Sequence, residues 1–276
     1  MLKGFYTAAS GMIAQQRKQE TLSNNLANAN TPGFKADQGS LRAFPEMLMQ
    51  QMGSKTLPTK QGTTLPIRNP IGALNTGVYM QETTPSFTQG DTRETGMSTD
   101  MALINGNMPD EDGGLFFTVQ NEAGELRYTR NGNFTVDSEG FLTTKQGNYV
   151  LDQNNEPVQT LGMEFQVDKE GVLQANGQAI PLGISYTPDV YQMIKEGEAL
   201  YRMNEGDEGQ PPVNARNTAG VSFTTEQGFL EGSNVDPTQT MTEMMNSYRI
   251  YETNQKVLKA YDQSMDKAVN EIGVVR

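Results

Sequence analysis

The sequence predicts an α+β protein, with long N- and C-terminal helices that pair as a coiled coil and an antiparallel β-rich middle domain between them. Three observations carry this. Residues 238–272 contain neither Gly nor Pro, and their apolar residues recur at spacings of four and three. Residues 3–29 repeat that spacing more weakly. The middle of the chain repeats one strand–turn–strand phrase three times.

The C-terminal helix carries its own start signal. Asp236 is a good N-cap, Pro237 falls at the first helical position, where a missing N–H costs nothing, and Gln239 completes a capping-box pattern. Gly273 offers the stop. About 36 residues in between make on the order of 54 Å of helix. Met244, Tyr248, Tyr251, Gln255, Leu258, Asp262, Met265, Val269 and Ile272 then form a heptad seam, apolar except at Gln255 and Asp262. A one-sided seam of that length needs a partner, either in its own chain or in another.

The partner within the chain is the N-terminal helix. Leu2, Phe5, Ala9 and Met12 keep the spacing, with Tyr6 and Ile13 on the flanks. The seam weakens through Gln16 and Gln19 and recovers at Leu26. Thr31-Pro32-Gly33-Phe34 has the residues of a type II turn, so the helix should end near Asn30. Asn24, Asn25, Asn28 and Asn30 crowd this end. They read either as a frayed terminus or as amides packed in an interface, where one left unpaired would cost about 1–3 kcal/mol.

Between the helices the chain changes character. Residues 36–90 read as an extended linker, with Pro45 to Met52 forming a short helix with a Met face. Residues 91–232 read as the β-rich domain. Phe117 to Leu126, Phe134 to Leu142 and Phe165 to Leu173 each place a short alternating strand before an Asn/Asp turn closed by Gly. Asn131-Gly132 reads as a two-residue hairpin turn. Thr187 to Gly197 has the marks of a short helix, capped by Thr187 and stopped by Gly197. Residues 204–220 read as linker. The segments are therefore 1–35, 36–90, 91–232 and 233–276.

Composition narrows the function. The chain has 276 residues, 35% of them hydrophobic, a mean hydropathy of −0.59, 28 Gly and 13 Pro. A multi-part, extended protein suits these values better than one compact globule. The net charge is −12, which argues against nucleic-acid binding. That charge sits in the middle: residues 1–42 have five basic and two acidic groups, and residues 233–276 have five and six. Without Cys or His there is no thiolate, no imidazole ligand and no Ser-His-Asp triad. No run of 18 apolar residues exists to span a membrane. Leu2 to Ala14 is too diluted by Gly and hydroxyl residues for a cleaved signal, and no cleavage motif follows. Asp110-Glu111-Asp112-Gly113 and Asp137-Ser138-Glu139-Gly140 lack EF-hand spacing and read as acidic surface turns. No phosphate-cradling Gly-rich loop occurs. The expectation is no catalytic residue, no cofactor and no metal.

Both ends carry a resemblance. Tyr6 through Gln16, then Ser23-Asn24-Asn25-Leu26-Ala27-Asn28-Ala29-Asn30-Thr31-Pro32-Gly33-Phe34-Lys35, resembles the N-terminal signature of the bacterial flagellar basal-body rod and hook proteins. Leu230-Glu231-Gly232-Ser233-Asn234-Val235-Asp236, with Met241 to Met245, Arg249, Tyr251-Glu252 and Asn254, resembles the matching C-terminal signature. Within the family the chain is most similar to the proximal and distal rod proteins, and to their Gram-positive counterparts. Ser23 stands where the family often has Ala, and Ser247-Tyr248-Arg249-Ile250 departs from its commoner wording.

The resemblance implies a structural subunit that self-assembles through its terminal helices into the torque-transmitting axial structure of the basal body. Its partners would be its own copies, other rod and hook subunits, and the flagellar type III export apparatus, with no nucleic acid. The expected assembly interface is Leu2, Phe5, Ala9, Met12, Ile13, Asn24, Asn25, Leu26, Asn28, Met244, Tyr248, Tyr251, Leu258, Met265, Val269 and Ile272. The expected motif turns and caps are Thr31, Pro32, Gly33, Phe34, Asn234 and Asp236. The competing class is a secreted β-rich wall-binding module or hydrolase with helical dimerisation ends, against which the missing His and Trp weigh.

Overall fold

The computed structural model describes residues 2–56, 64–162, 164–175, 177–197, 199–204 and 211–272. It has an N-terminal helix, a β-rich middle and a C-terminal helix, the α+β class expected. The chain divides into two compact units. The first comprises Met1–Ser23, Gly39–Thr83 and Thr238–Arg276; the second comprises Asn24–Gln38 and Thr84–Pro237.

The first unit is built on α1 (Leu2–Ala27) and α2 (Pro237–Lys267), the latter running into a π-helical turn at Ala268–Ile272. α2 begins at Pro237, directly after Asp236, as the cap signals require. Gly273 lies outside the described residues, as do the side chains of Leu2 and Ile272. Four strands follow α1: β1 (Asp37–Ala43), β2 (Met47–Thr56), β3 (Thr64–Leu74) and β4 (Val78–Pro85). β1 pairs with β4, and β2 pairs antiparallel with β3 from Met47↔Leu74 to Thr56↔Thr64, with a register shift between Met49 and Gln50.

This corrects the short helix expected over Pro45 to Met52. Those residues are good helix formers, but two isolated turns are marginal and propensity differences amount to only about 0.7 kcal/mol per residue at most. A ten-position ladder with β3 outweighs them. The extended linker expected here is thus largely strand; residues 57–63 lie outside the described residues.

The second unit is β-rich. Its strands are β5 (Thr92–Glu94), β6 (Met101–Asn105), β7 (Gly114–Gln120), β8 (Leu126–Thr129), β9 (Phe134–Val136), β10 (Leu142–Thr144) and β11 (Tyr149–Val150). They continue as β12 (Gln166–Val167), β13 (Val172–Ala175), β14 (Gln178–Pro181), β15 (Ile184–Thr187), β16 (Met193–Glu196), β17 (Leu200–Met203), β18 (Val213–Asn214), β19 (Phe223–Gln227) and β20 (Phe229–Glu231). A nine-stranded sheet runs β16-β17-β8-β7-β11-β10-β9, with β15 pairing to β7 and β18. β7 is its centre and is buried on both faces. Leu115, Phe117 and Val119 point into the main core with Met101, Leu103, Phe134 and Leu142. Phe116 points the other way, into a second cluster with Tyr128, Val190, Met193 and Tyr201.

The threefold phrase is three hairpins built on one kind of turn. β7–β8, β9–β10 and β12–β13 are antiparallel pairs. In each, the side-chain oxygen of the first turn residue accepts backbone N–H: Asn121 from Glu125, Asp137 from Glu139 and Phe141, Asp168 from Glu170 and Val172. These local bonds are why Asn and Asp recur there. The acidic run at Asp137 is therefore a turn device.

Two local expectations are corrected. Asn131-Gly132 joins strands that do not pair with each other: β8 pairs with β7 and β17, and β9 with β10. Gly132 is required because a Cβ there would run into the Met101 carbonyl, whose own N–H donates to Gly132 O at 3.0 Å. Thr187 to Gly197 holds one 3-10 turn, Val190–Gln192, capped by Asp189, before β16 takes over. Pairing of Met193–Glu196 with β17 stops helix propagation.

Candidate assembly surfaces and a buried ion cluster

Within the first unit α1 and α2 run antiparallel, because their contacts ascend one helix while descending the other. Gly4 lies against Tyr261 and Gly11 against Asn254. Ser247 Oγ donates to Gln15 Oε1 at 2.8 Å and lies 3.1 Å from Gln15 O. Lys18 Nζ stands 3.9 Å from Glu243. The α1 positions so engaged, with Ala8 and Leu22 also buried, follow a four-three register one step away from the expected seam. They are small or polar, which permits the close approach: a Cβ on Gly4 would collide with the Tyr261 phenol, its Cζ 2.6 Å away.

On α2 the inward positions are Thr240, Met244, Ser247, Tyr251, Asn254, Leu258, Tyr261, Met265 and Ala268, all buried or half-buried. The residues of the expected seam fall on two faces of α2. Met244, Tyr251, Leu258 and Met265 face inward, whereas Tyr248 and Val269 are 59% and 70% exposed. Gln255 and Asp262, the two polar residues in the expected seam, are exposed as well. On α1, Phe5, Ala9, Met12 and Leu26 are half-buried on the flank, and Ile13 is exposed with Tyr6. Gly4→Leu is expected to overpack this contact by about 1–3 kcal/mol. Amide exchange in α1 and α2 of the full chain should speed up accordingly; unchanged protection would contradict the assigned seam.

Both helices keep a second apolar stripe on the outside. Tyr6 and Ile13 stand one heptad apart on α1. Met241, Met245 and Tyr248 repeat four-three on α2 and are each more than half exposed.

In the second unit the two signature segments close on each other. Phe34 N–H donates to Thr31 O at 3.3 Å and Gly33 has φ +68°, the geometry of the expected type II turn. Gly33 has no alternative: a Cβ would stand 2.5 Å from the Arg130 carbonyl carbon and from Asn131 N. Gly33 N donates to Glu231 O at 2.8 Å. Asn234 is a clamp, its Oδ1 accepting from Ala36 N at 2.7 Å and its Nδ2 donating to Ser86 O at 2.8 Å. Asn25 is buried and spends its amide on the Asp37 backbone, at 2.8 and 2.9 Å. Asn28 donates to Asn24 O and accepts from Thr31 Oγ1, so these amides cap the end of α1 from within the chain, while the Asn24 side chain is exposed.

The centre of this closure is ionic. Lys35, Arg130 and Glu231 are at most 3% exposed. Lys35 Nζ donates to Glu231 Oε1 at 2.7 Å and to Thr88 O at 2.8 Å; Arg130 Nε donates to Glu231 Oε2 at 3.0 Å and Nη1 to Leu115 O at 3.0 Å. Burial pushes the Lys35 ammonium down to about 8; Glu231 pulls it back up and Arg130 adds to the lowering. Over this lies a second pair, Lys195 Nζ to Asp37 Oδ2 at 2.9 Å, with the same ammonium 4.0 Å from the Phe34 ring.

In the sequence Lys35 and Glu231 lie inside the two signature segments and Arg130 directly precedes Asn131-Gly132, with no local pattern that marks the three as ion partners. A signal existed: charges embedded in otherwise apolar or turn-forming signatures. A cleft of about 880 Å³ is lined by Glu94, Met97, Gln166, Gln174, Gln227 and Phe229. Among the described residues no cluster of three or more Asp and Glu could hold a metal, and no helix is long and apolar enough to cross a membrane.

One unit holds helices with a spent inner face and an exposed outer stripe, the other is closed by buried charge, and neither arrangement is catalytic in kind: this is the make-up of a structural subunit. Comparison with known proteins carries this to a family. Residues 5–35 match the family described as "Flagella basal body rod protein", residues 112–180 "Flagellar hook protein FlgE/F/G D1 domain", and residues 226–271 "Flagellar basal body rod FlgEFG protein C-terminal". The chain is 44% identical over 281 residues to the flagellar hook-basal body complex protein FlhO of Bacillus subtilis, covering 100% of both chains. It is 31% identical over 278 residues to the flagellar basal-body rod protein FlgG of Borreliella burgdorferi, covering 98% of both. It is 29% identical over 279 residues to the rod protein FlgF of Caulobacter vibrioides, covering 100% of both. The chain belongs to the flagellar basal-body rod and hook protein family.

Proposed function

We propose that this protein is a non-enzymatic structural subunit of the flagellar basal-body rod. α1 and α2 pair as an antiparallel coiled coil through their small-residue seam and pack through their outer stripes against neighbouring subunits. The observation that carries this is the second four-three stripe, Met241, Met245 and Tyr248, exposed on a helix whose inner face is already used. An apolar stripe on a helix is a docking face. Head-to-tail contacts that do not close generate filaments, which fits an axial structure.

Segments 1–35 and 233–276 serve assembly in this reading, and residues 91–232 form the body carried by it. Of the interface set, Ile13, Tyr248 and Val269 meet neighbours directly, while Phe5, Met12, Met244, Tyr251, Leu258 and Met265 set the coiled coil. The partners are further copies, other rod and hook subunits and the type III export apparatus. The site of action is the basal body outside the cytoplasm. Family membership supports these assignments.

The test is mass spectrometry of purified hook–basal bodies from cells making the full chain or one lacking residues 233–276. The full chain should co-purify and the truncated chain should be missing. Truncated chain at full-length abundance would overturn the reading.

A further inference from the structure

The ribbon formed by β2 and β3 is an unpartnered surface of the first unit. Every residue over 47–54 and 68–73 is exposed, so both of its faces are open there. Met47 and Met49 lie on one face and Leu48 on the other. Ile71 is the extra residue at the register shift between Met49 and Gln50. Met47, Leu48, Met52 and Ile71 are each more than half exposed. A two-stranded ribbon by itself is marginal in water and needs packing on a face. Apolar side chains this concentrated mark a contact surface.

Charge selects the occupant. Along the β3 edge another strand fits poorly, because Pro66 and Pro70 supply no backbone donor. Residues 47–81 carry Lys55, Lys60 and Arg68 and no acidic group, in a chain of net charge −12. Residues 84–237 carry 24 acidic and eight basic groups, with Glu111, Glu122, Glu139 and Glu156 exposed among them. The ribbon and the β-rich unit are therefore opposite in charge, the complementarity that steers one copy onto another. The C-terminal segment offers no such match, since residues 233–276 have five basic and six acidic groups.

We propose that the β2–β3 ribbon of one copy docks on the acidic outer surface of the β-rich unit of a second copy. Its methionines and Ile71 make the dry part of the contact and Arg68 the charged part. The contact rests on the reading of this chain as a self-assembling subunit. It adds to the outer helix stripes an interface that salt weakens.

The experiment puts a photo-cross-linking benzophenone amino acid in place of Met52 in the full chain. A concentrated mixture of light and heavy isotope-labelled chains is irradiated and the joined peptides are mapped by mass spectrometry. Cross-links between a light and a heavy chain should run from position 52 to residues 84–237. Arg68→Glu should cut their yield about fivefold, the scale of one surface attraction lost and one repulsion gained. Arg68 is exposed, so this variant folds as the native chain does. Raising the salt concentration should lower the yield as well. Cross-links confined to single chains, cross-links to residues 1–23 or 238–276 of the second copy, or a yield that ignores both salt and Arg68→Glu would each overturn the proposal. A chain that cross-links in this way but is missing from hook–basal bodies would overturn the rod reading and leave the contact standing.

Discussion

Replacing Glu231 with Gln should lower the stability of the β-rich unit by about 3–5 kcal/mol, the range seen when one partner of a buried ion pair is removed. The substitution preserves shape, so the loss is electrostatic. Lys35 and Arg130 would remain buried with no countercharge, both having been held by the two Glu231 oxygens. The pH dependence separates this from a packing defect. Glu231 is the group that keeps the Lys35 ammonium from falling further, so the variant's Lys35 titrates below the about 8 of the native chain. A folded pKa below the unfolded 10.5 means the unfolded chain binds more protons between the two values, so stability rises with pH across that window. Raising the pH from 7 to 9 should therefore restore part of the loss in Glu231→Gln. Denaturant unfolding at both values measures it; a loss below about 1 kcal/mol, or none recovered at pH 9, would show the pair is not needed to close the unit.

The second large effect is on assembly. Met245→Glu with Tyr248→Glu should leave the free chain's stability within about 0.5 kcal/mol, because both side chains are more than half exposed. In the assembled rod each would forfeit about 1.5–3 kcal/mol of apolar burial and add a carboxylate to a dry contact. At about 1.4 kcal/mol per factor of ten, two such losses weaken each subunit contact by more than a hundredfold.

The helices and the hairpins were legible because their signals are local. Asp236-Pro237 sets the start of α2, and Asp137 and Asp168 mark turns whose bonds reach only two to four residues. The seam was legible only in part. Met244, Tyr251, Leu258 and Met265 anchor it, but the alternate row can be read as Tyr248 and Val269 or as Ser247 and Ala268. Hydrophobicity favours the larger residues. Close approach of two helices favours the smaller ones, opposite Gly4, Gly11 and Gln15. That preference depends on the partner helix, which one helix's own pattern does not contain. β2 was missed for a similar reason, since its ladder with β3 is invisible in Pro45 to Met52 taken alone. The ion cluster joins residues 196 positions apart, Lys35 to Glu231. Motif position hinted at both, but no local rule pairs them.

The most direct test of the assembly claim is quantitative mass spectrometry of purified hook–basal bodies from cells making Met245→Glu with Tyr248→Glu in place of the native chain, with the free variant's unfolding measured in parallel. The outer-stripe account predicts a variant that folds normally and is absent from the complexes. Variant present at native abundance, in cells that swim normally, would show that α2 meets its neighbours through some other face.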